Sequence, residues 1–272
     1  EVLIPDPGYP AYAAATALAG AVCVKYDLEP GLNWHPDPAR LEELITKKTR
    51  ILWLNYPNMP TGANANPAIL QKIVAAAKEH DVLICHDNPY STILTREPFS
   101  FLSLKEARSI TIELNSLSKA FNMAGARVGM MCGDENLIGP AFKVQSQYGS
   151  GMFEPIQHAA ISALKLANSD WFEKMNNTYT ARKAVVHRIL RNLNCTFDRQ
   201  SSGMFVWAGI PSTYSSGEQL SEYLLNKASV FAAQGHIFGS NGDNYNRISL
   251  CAPLTKLEEA EQRIHRLTAE SI

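Results

Sequence analysis

Residues 51–87 read ILWLNYPNMPTGANANPAILQKIVAAAKEHDVLICHD, and the rhythm of this stretch sets the fold. Ile51–Leu54 and Val82–Cys85 are short apolar runs bounded by turn residues, the pattern of buried strands. Between them Ile69, Ile73, Val74 and Ala77 recur at helical spacing, which predicts a helix over Pro67–His80. Pro67 suits its first turn and Asn66 its cap. The same alternation extends on both sides, with strands expected at Val2–Ile4, Ala21–Tyr26 and Ser109–Glu113 and helices at Tyr9–Ala19 and Pro38–Ile45. The fold class is therefore α/β, a mostly parallel central sheet with helices on both faces. Ligands in such sheets bind outside the carboxyl ends of the strands.

After about residue 150 the rhythm changes. Pro155–Ala167 and Trp171–Leu193 read as helices, the second long enough to bridge domains. Strands follow at Cys195–Asp198, Met204–Ala208 and Arg247–Cys251, with helices at Glu218–Lys227 and Thr255–Thr268. This predicts a large domain over residues 1–170, then an interdomain helix and a small α+β carboxyl-terminal domain over 171–272. Gly149-Ser150-Gly151 is too short for a phosphate-binding loop and reads as a flexible connection. The chain opens on Glu1-Val2-Leu3-Ile4, apparently inside a strand, and reads as the carboxyl portion of a longer protein.

The 272 residues can bury a large core, and a formal charge of −1 argues against nucleic acid or an anionic membrane as partner. The most apolar stretch, Ala11 to Val24, is interrupted by Thr16 and Gly20 and too short to span a bilayer. Five widely spaced cysteines, mostly inside apolar runs, suit buried thiols in a reducing, cytoplasmic compartment. The seven histidines make no metal set. His86 is expected to face away from Asp87 as a core or supporting residue. His35, His80, His187 and His265 are expected at solvated or helix-face positions.

Chemistry concentrates at strand ends. Lys119 lies in Asn115-Ser116-Leu117-Ser118-Lys119-Ala120-Phe121-Asn122, and Arg127 follows within Ala126-Arg127-Val128-Gly129. A lysine among small hydroxyl residues after an apolar strand suits an amine that forms an imine. The hydroxyls of Ser116 and Ser118 with Arg127 suit a phosphate. Together they point to a phosphorylated aldehyde held covalently, pyridoxal 5′-phosphate. Asp87 ends a buried strand, where it either caps a following helix or pairs with a pyridine nitrogen. Tyr90, three residues on, either packs or reaches the ring's phenolic oxygen. Asn55-Tyr56-Pro57-Asn58-Met59-Pro60-Thr61-Gly62 is a plain turn or a rigid loop presenting the Asn58 amide. Tyr9, after Pro5-Asp6-Pro7-Gly8, either staples a helix start or lies flat on a planar ring. Arg247 is a surface residue or a fork for a substrate carboxylate.

These segments, taken in order with Gly203-Met204-Phe205-Val206-Trp207 and Arg247-Ile248-Ser249-Leu250, resemble the class I/II aminotransferases, the fold type I pyridoxal-phosphate enzymes. The resemblance covers nearly the whole chain. It implies that Lys119 forms the aldimine, Asp87 pairs with the ring nitrogen, and Asn58 and Tyr90 bond the phenolic oxygen. It implies that Tyr9 stacks on the ring, that Ser116, Ser118 and Arg127 hold the phosphate, and that Asn58 and Arg247 face the substrate. It also implies a homodimer. The segment that the family places before this chain's first strand holds a further phosphate anchor, so weak or absent cofactor is expected of these residues alone.

The implied reaction moves an amino group between an amino acid and a 2-oxo acid, with Lys119 as the base for the α-proton and Asp87 and Tyr90 in support. The nearest alternative is a carbon–sulfur β-lyase on the same residues; another is a non-catalytic truncated module. No arginine occurs between Lys143 and Pro155, which speaks against strict dicarboxylate specificity.

Overall fold

A computed structural model describes residues 1–149 and 151–269, so Ser150 of the expected glycine-flanked loop lies outside the described residues. The first half contains β1 (Val2–Asp6), α1 (Pro10–Leu18), β2 (Cys23–Asp27), α2 (Pro38–Glu43), β3 (Ile51–Leu54), α3 (Pro67–Glu79), β4 (Leu83–Asp87), β5 (Thr111–Ser116), α4 (Leu117–Ala120), β6 (Gly129–Gly133) and α5 (Glu135–Tyr148). There follow α6 (Glu154–Lys165), α7 (Trp171–Asn192), β7 (Thr196–Phe197), β8 (Phe205–Gly209), α8 (Gly217–Ala228), β9 (Ala233–Gln234), β10 (Tyr245–Ser249) and α9 (Leu254–Ala269).

The first sheet has six strands in the order β2-β1-β3-β4-β5-β6. Its first five strands pair in parallel and β6 closes the edge antiparallel to β5. One face packs Leu3, Leu52, Leu54 and Ile84 against Leu70, Ile73, Val74 and Ala77 of α3. Leu70 therefore takes the place in the stripe that the periodicity assigned to Ile69, which is half-buried beside it. Leu70, Ile73 and Val74 are at most 1% exposed, and burying each contributes roughly 2 kcal/mol. The opposite face packs Val2 and Ile4 on Tyr12 of α1.

The cap of α3 forms as expected: the Asn66 side chain accepts from the N–H groups of Ala68 and Ile69. Two strands run longer than expected, β4 to Asp87 and β5 to Ser116. Their ends are polar, but His86 and Glu113 find partners inside the sheet, so extended backbone continues past the apolar run. Neither β6 nor α5 was expected. The strand begins and ends on glycine, and α5 carries Pro140 and buries no residue, so neither shows a hydrophobic period.

The second sheet is antiparallel, in the order β7-β8-β10-β9. Val185, Val186, Ile189 and Leu190 of α7 join its core, together with Met59, Tyr90 and Ile93 from the first half. The Arg188 guanidinium grips the Glu261 carboxylate through two bonds of 2.6 and 2.8 Å, tying α7 to α9.

Two expectations are corrected. His35 is not solvated: it is 3% exposed and stacks on Tyr56, with centroids 4.6 Å apart and planes 3° from parallel. Only Cys85 and Cys195 are buried, and Cys251 is exposed. Among the described residues no helix is long and apolar enough to cross a membrane, and no group of His, Cys, Asp or Glu could hold a metal ion.

Candidate active site

Four neighbouring parallel strands, β1, β3, β4 and β5, end on the same edge of the sheet. Each end carries one part of the expected site: Tyr9 after β1, Asn58 after β3, Asp87 on β4, and Ser116 with Lys119 after β5.

Asp87 caps no helix, because the residues after it form turns. Its Oδ2 instead accepts a 2.8 Å hydrogen bond from the Tyr12 hydroxyl. Burial pushes the Asp87 pKa up, and the Tyr12 bond and the charge of His86 pull it back. Tyr12 is 4% exposed and stacks on Trp53 at 4.7 Å and 14°. Its phenol is pushed well above the ordinary value, first by burial and then by the Asp87 charge, so it stays a neutral donor. Sequence reasoning missed Tyr12. The available signal was its position three residues after Tyr9, on the same face of one helical turn.

The loop after β3 is held by its own amides. Asn55 donates from Nδ2 to the Asp87 carbonyl at 2.7 Å and accepts from Met59 N–H at 2.7 Å. The Asn58 Oδ1 accepts from both the N–H and the hydroxyl of Thr61, which turns its Nδ2 into a donor for something else. Gly62 closes the loop at φ +76, where a side chain would be strained and its Cβ would meet the Ser201 Cβ at 2.7 Å.

Tyr9 precedes α1 with 47% of its surface exposed, more than a packed staple leaves free, and meets Tyr12 edge-on. Tyr90 is buried with its ring edge-on to Phe205, and its phenol pKa is raised first by burial and then by the Asp87 charge. Ser116 caps the short α4 by accepting from Ser118 N–H at 3.1 Å, and Lys119 stands half-buried on that turn. Leu117 N–H donates to the Val128 carbonyl at 3.1 Å, which brings Arg127 beside the same turn. Arg127 is exposed, in left-handed backbone at φ 54.

Arg247 comes from the second sheet and is not a surface residue. Its guanidinium carbon lies 4.0 Å from the centre of the Phe205 ring and 4.6 Å from that of Phe238. Its Nη1 is 3.2 Å from the Met59 sulfur, next to Asn58, while its Nε is buried with no partner among the described residues. Burial lowers its pKa, an effect opposed by nearby Tyr90. A desolvated cation with an unsatisfied N–H is a receptor for an anion.

The architecture, with its large mostly parallel sheet and smaller antiparallel sheet, is that of fold type I aminotransferases. The chain belongs to the family of class I and II aminotransferases, which it matches over residues 1–265. It is 36% identical over 264 residues to an LL-diaminopimelate aminotransferase of Gloeobacter violaceus, covering 96% of this chain and 67% of that one. Another from Aquifex aeolicus is 37% identical over 268 residues, covering 98% of this chain and 69% of the relative. The chain thus spans about two thirds of the length of these relatives. Apo-BacF of Bacillus subtilis superimposes with a TM-score of 0.91 at 34% identity, over 98% of this chain and 68% of that one. An aminotransferase from Staphylococcus aureus gives 0.90 at 35% identity, over 98% and 71%.

Proposed function

We propose that this chain carries the pyridoxal 5′-phosphate site of an amino acid aminotransferase, with Lys119 as the covalent anchor and base. The residues suit the group. Asp87 is a half-buried carboxylate whose side chain, among the described residues, accepts from a neutral hydroxyl, so it can take a protonated ring nitrogen. The single observation that carries the reading is the convergence of Asn58, Asp87, Ser116 and Lys119 at three adjacent strand ends.

When bound, the cofactor supplies an electron sink for the carbanion at the substrate α-carbon. Lys119 Nζ removes the α-proton and returns it. Ionised Asp87 holds the ring nitrogen in its protonated form, and the Tyr12 hydroxyl keeps the carboxylate in place. Asn58 Nδ2 and the Tyr90 hydroxyl serve the phenolic oxygen, and Tyr9 covers the ring. Ser116, Ser118 and Arg127 hold the phosphate. Arg247 takes the substrate α-carboxylate and places it beside Asn58. The names of the relatives favour LL-diaminopimelate as donor, whose second ammonium and carboxylate call for further polar contacts in the pocket.

Supporting features define the rest of the reading. The division into residues 1–170 and 171–272 follows the two sheets, which lie within residues 2–133 and 196–249. Exposed Phe142, Val144 and Phe153 suit a homodimer contact, and five free cysteines suit the cytoplasm.

The test is borohydride reduction of the intact protein with its cofactor, followed by peptide mapping and turnover assays with LL-diaminopimelate and 2-oxoglutarate. Label on Lys119, and loss of both label and transamination in Lys119→Ala, are expected. Full turnover in that variant would sink the proposal.

A further inference from the structure

His86 and Glu113 are buried titratable groups that the reaction above does not use. His86 is fully buried and Glu113 is 4% exposed, and they face each other as register partners on β4 and β5. His86 Nδ1 lies 3.1 Å from Glu113 Oε2. The same Oε2 accepts from the Ser100 hydroxyl at 2.9 Å and from Phe101 N–H at 2.8 Å. The other oxygen, Oε1, accepts from the side-chain amides of Asn88 at 3.3 Å and Asn115 at 3.1 Å. Burial alone would raise the Glu113 pKa, yet the bond to His86 and its charge, then Ser100 and Phe101, hold it down to about 2. One ionised carboxylate thus takes five donors.

The donors are placed where the site needs order. Asn88 follows Asp87, and Asn115 precedes Ser116. The far edge of the His86 ring meets the loop that carries Asn58: its Nε2 lies 3.3 Å from Tyr56 N and 3.1 Å from Tyr56 O. Because Nδ1 faces a carboxylate it carries a ring proton, and Nε2 meets the Tyr56 peptide at both its N–H and its carbonyl. Phe101 and Phe99 close the ring's surroundings, so Glu113 and the adjacent Asp87 are the charged groups around it.

We propose that His86 and Glu113 are positioning residues for transamination: Glu113 orients His86, His86 clamps the Tyr56 peptide, and the pair sets the spacing of the three strand ends that carry Asn58, Asp87 and Ser116–Lys119. Neither residue touches substrate. The inference rests on the proposed function. A misplacement of catalytic groups on the order of 1 Å is enough to cost up to about a hundredfold in rate.

The experiment pairs nitrogen NMR of isotope-labelled histidine in the cofactor-free protein with kinetics of Glu113→Gln. In the wild type, His86 should show a protonated Nδ1. In E113Q a single amide oxygen faces five donors, so the Nδ1 signal should change. The kcat of E113Q should fall about tenfold or more, with KM changed less than about threefold. The control is a core variant of α3, Leu70→Ala or Ile73→Val, chosen to match the loss of Tm. It should retain turnover. His86→Gln should repeat the kcat loss and serves if E113Q does not fold. An unprotonated Nδ1 in the wild type overturns the proposal, and so does a kcat loss in the variants no larger than in the control. A wild-type protein without turnover fails the functional reading instead, and the nitrogen spectrum still decides the clamp.

Discussion

A desolvated carboxylate at a strand end costs stability unless something ionic meets it, and among the described residues the Asp87 side-chain oxygens accept only from the Tyr12 hydroxyl. Its folded pKa is raised, so its contribution favours the fold below the ordinary value of 3.8 and is lost as pH rises through the folded value. Asp87→Asn should therefore stabilise the cofactor-free protein at pH 7, raising Tm by about 2 °C or more, with the gain vanishing at pH values below 3.8. The same variant should lose nearly all transamination. Thermal melts across pH, with and without cofactor, check both outcomes, and equal melts at pH 7 would refute the assignment. At this scale, Lys119, Asp87 and Asn58 were legible because each stands just after an apolar run, a local property. Tyr12 was not, because its bond to Asp87 joins residues 75 apart in the chain.

Among the elements, α3 is the one whose sequence states everything: cap, proline in the first turn, and apolar stripe. Asn66→Ala should remove the two bonds to Ala68 and Ile69 and cost about 1 kcal/mol in denaturant unfolding, with turnover kept. A loss below about 0.3 kcal/mol would mean that packing alone starts this helix. The ends of β4 and β5 show the opposite case. Asp87, Leu114 and Asn115 lie beyond the expected ends Cys85 and Glu113, yet they continue the strands because their partners lie on neighbouring strands. A window of sequence along one strand does not display partners across the sheet. β6 went unseen for a related reason, since its register on β5 from Ser116↔Gly129 to Ile112↔Gly133 supplies the order that its own residues lack.

Across the whole molecule, the two sheets are joined at the site itself. Asp6, 2% exposed at the end of β1, accepts from Ser240 N–H at 3.1 Å, the Ser240 hydroxyl at 2.9 Å and Asn241 N–H at 3.1 Å, and pairs with Lys25 at 3.1 Å. Gly8 N–H donates to the Phe238 carbonyl at 2.7 Å, beside the ring that faces Arg247. Gly239 must be glycine here: at φ +133 its Cβ would stand 2.0 Å from Asp6 Oδ1. Asp6→Ala should destabilise the protein by roughly 2 kcal/mol or more and raise amide exchange in both the Tyr9 loop and residues 239–241. Exchange that rises in only one of the two would show that the latch does not couple them. From the sequence alone came the alternation of elements, the family pattern and the identity of the strand-end residues, because hydrophobic period and turn chemistry act over a few residues. The tertiary structure decided that Tyr12 supports Asp87, that the Arg247 guanidinium lies between Phe205 and Phe238, and that Glu113 gathers five donors. Those outcomes depend on desolvation and on contacts between distant segments, and both exist only once the chain has folded.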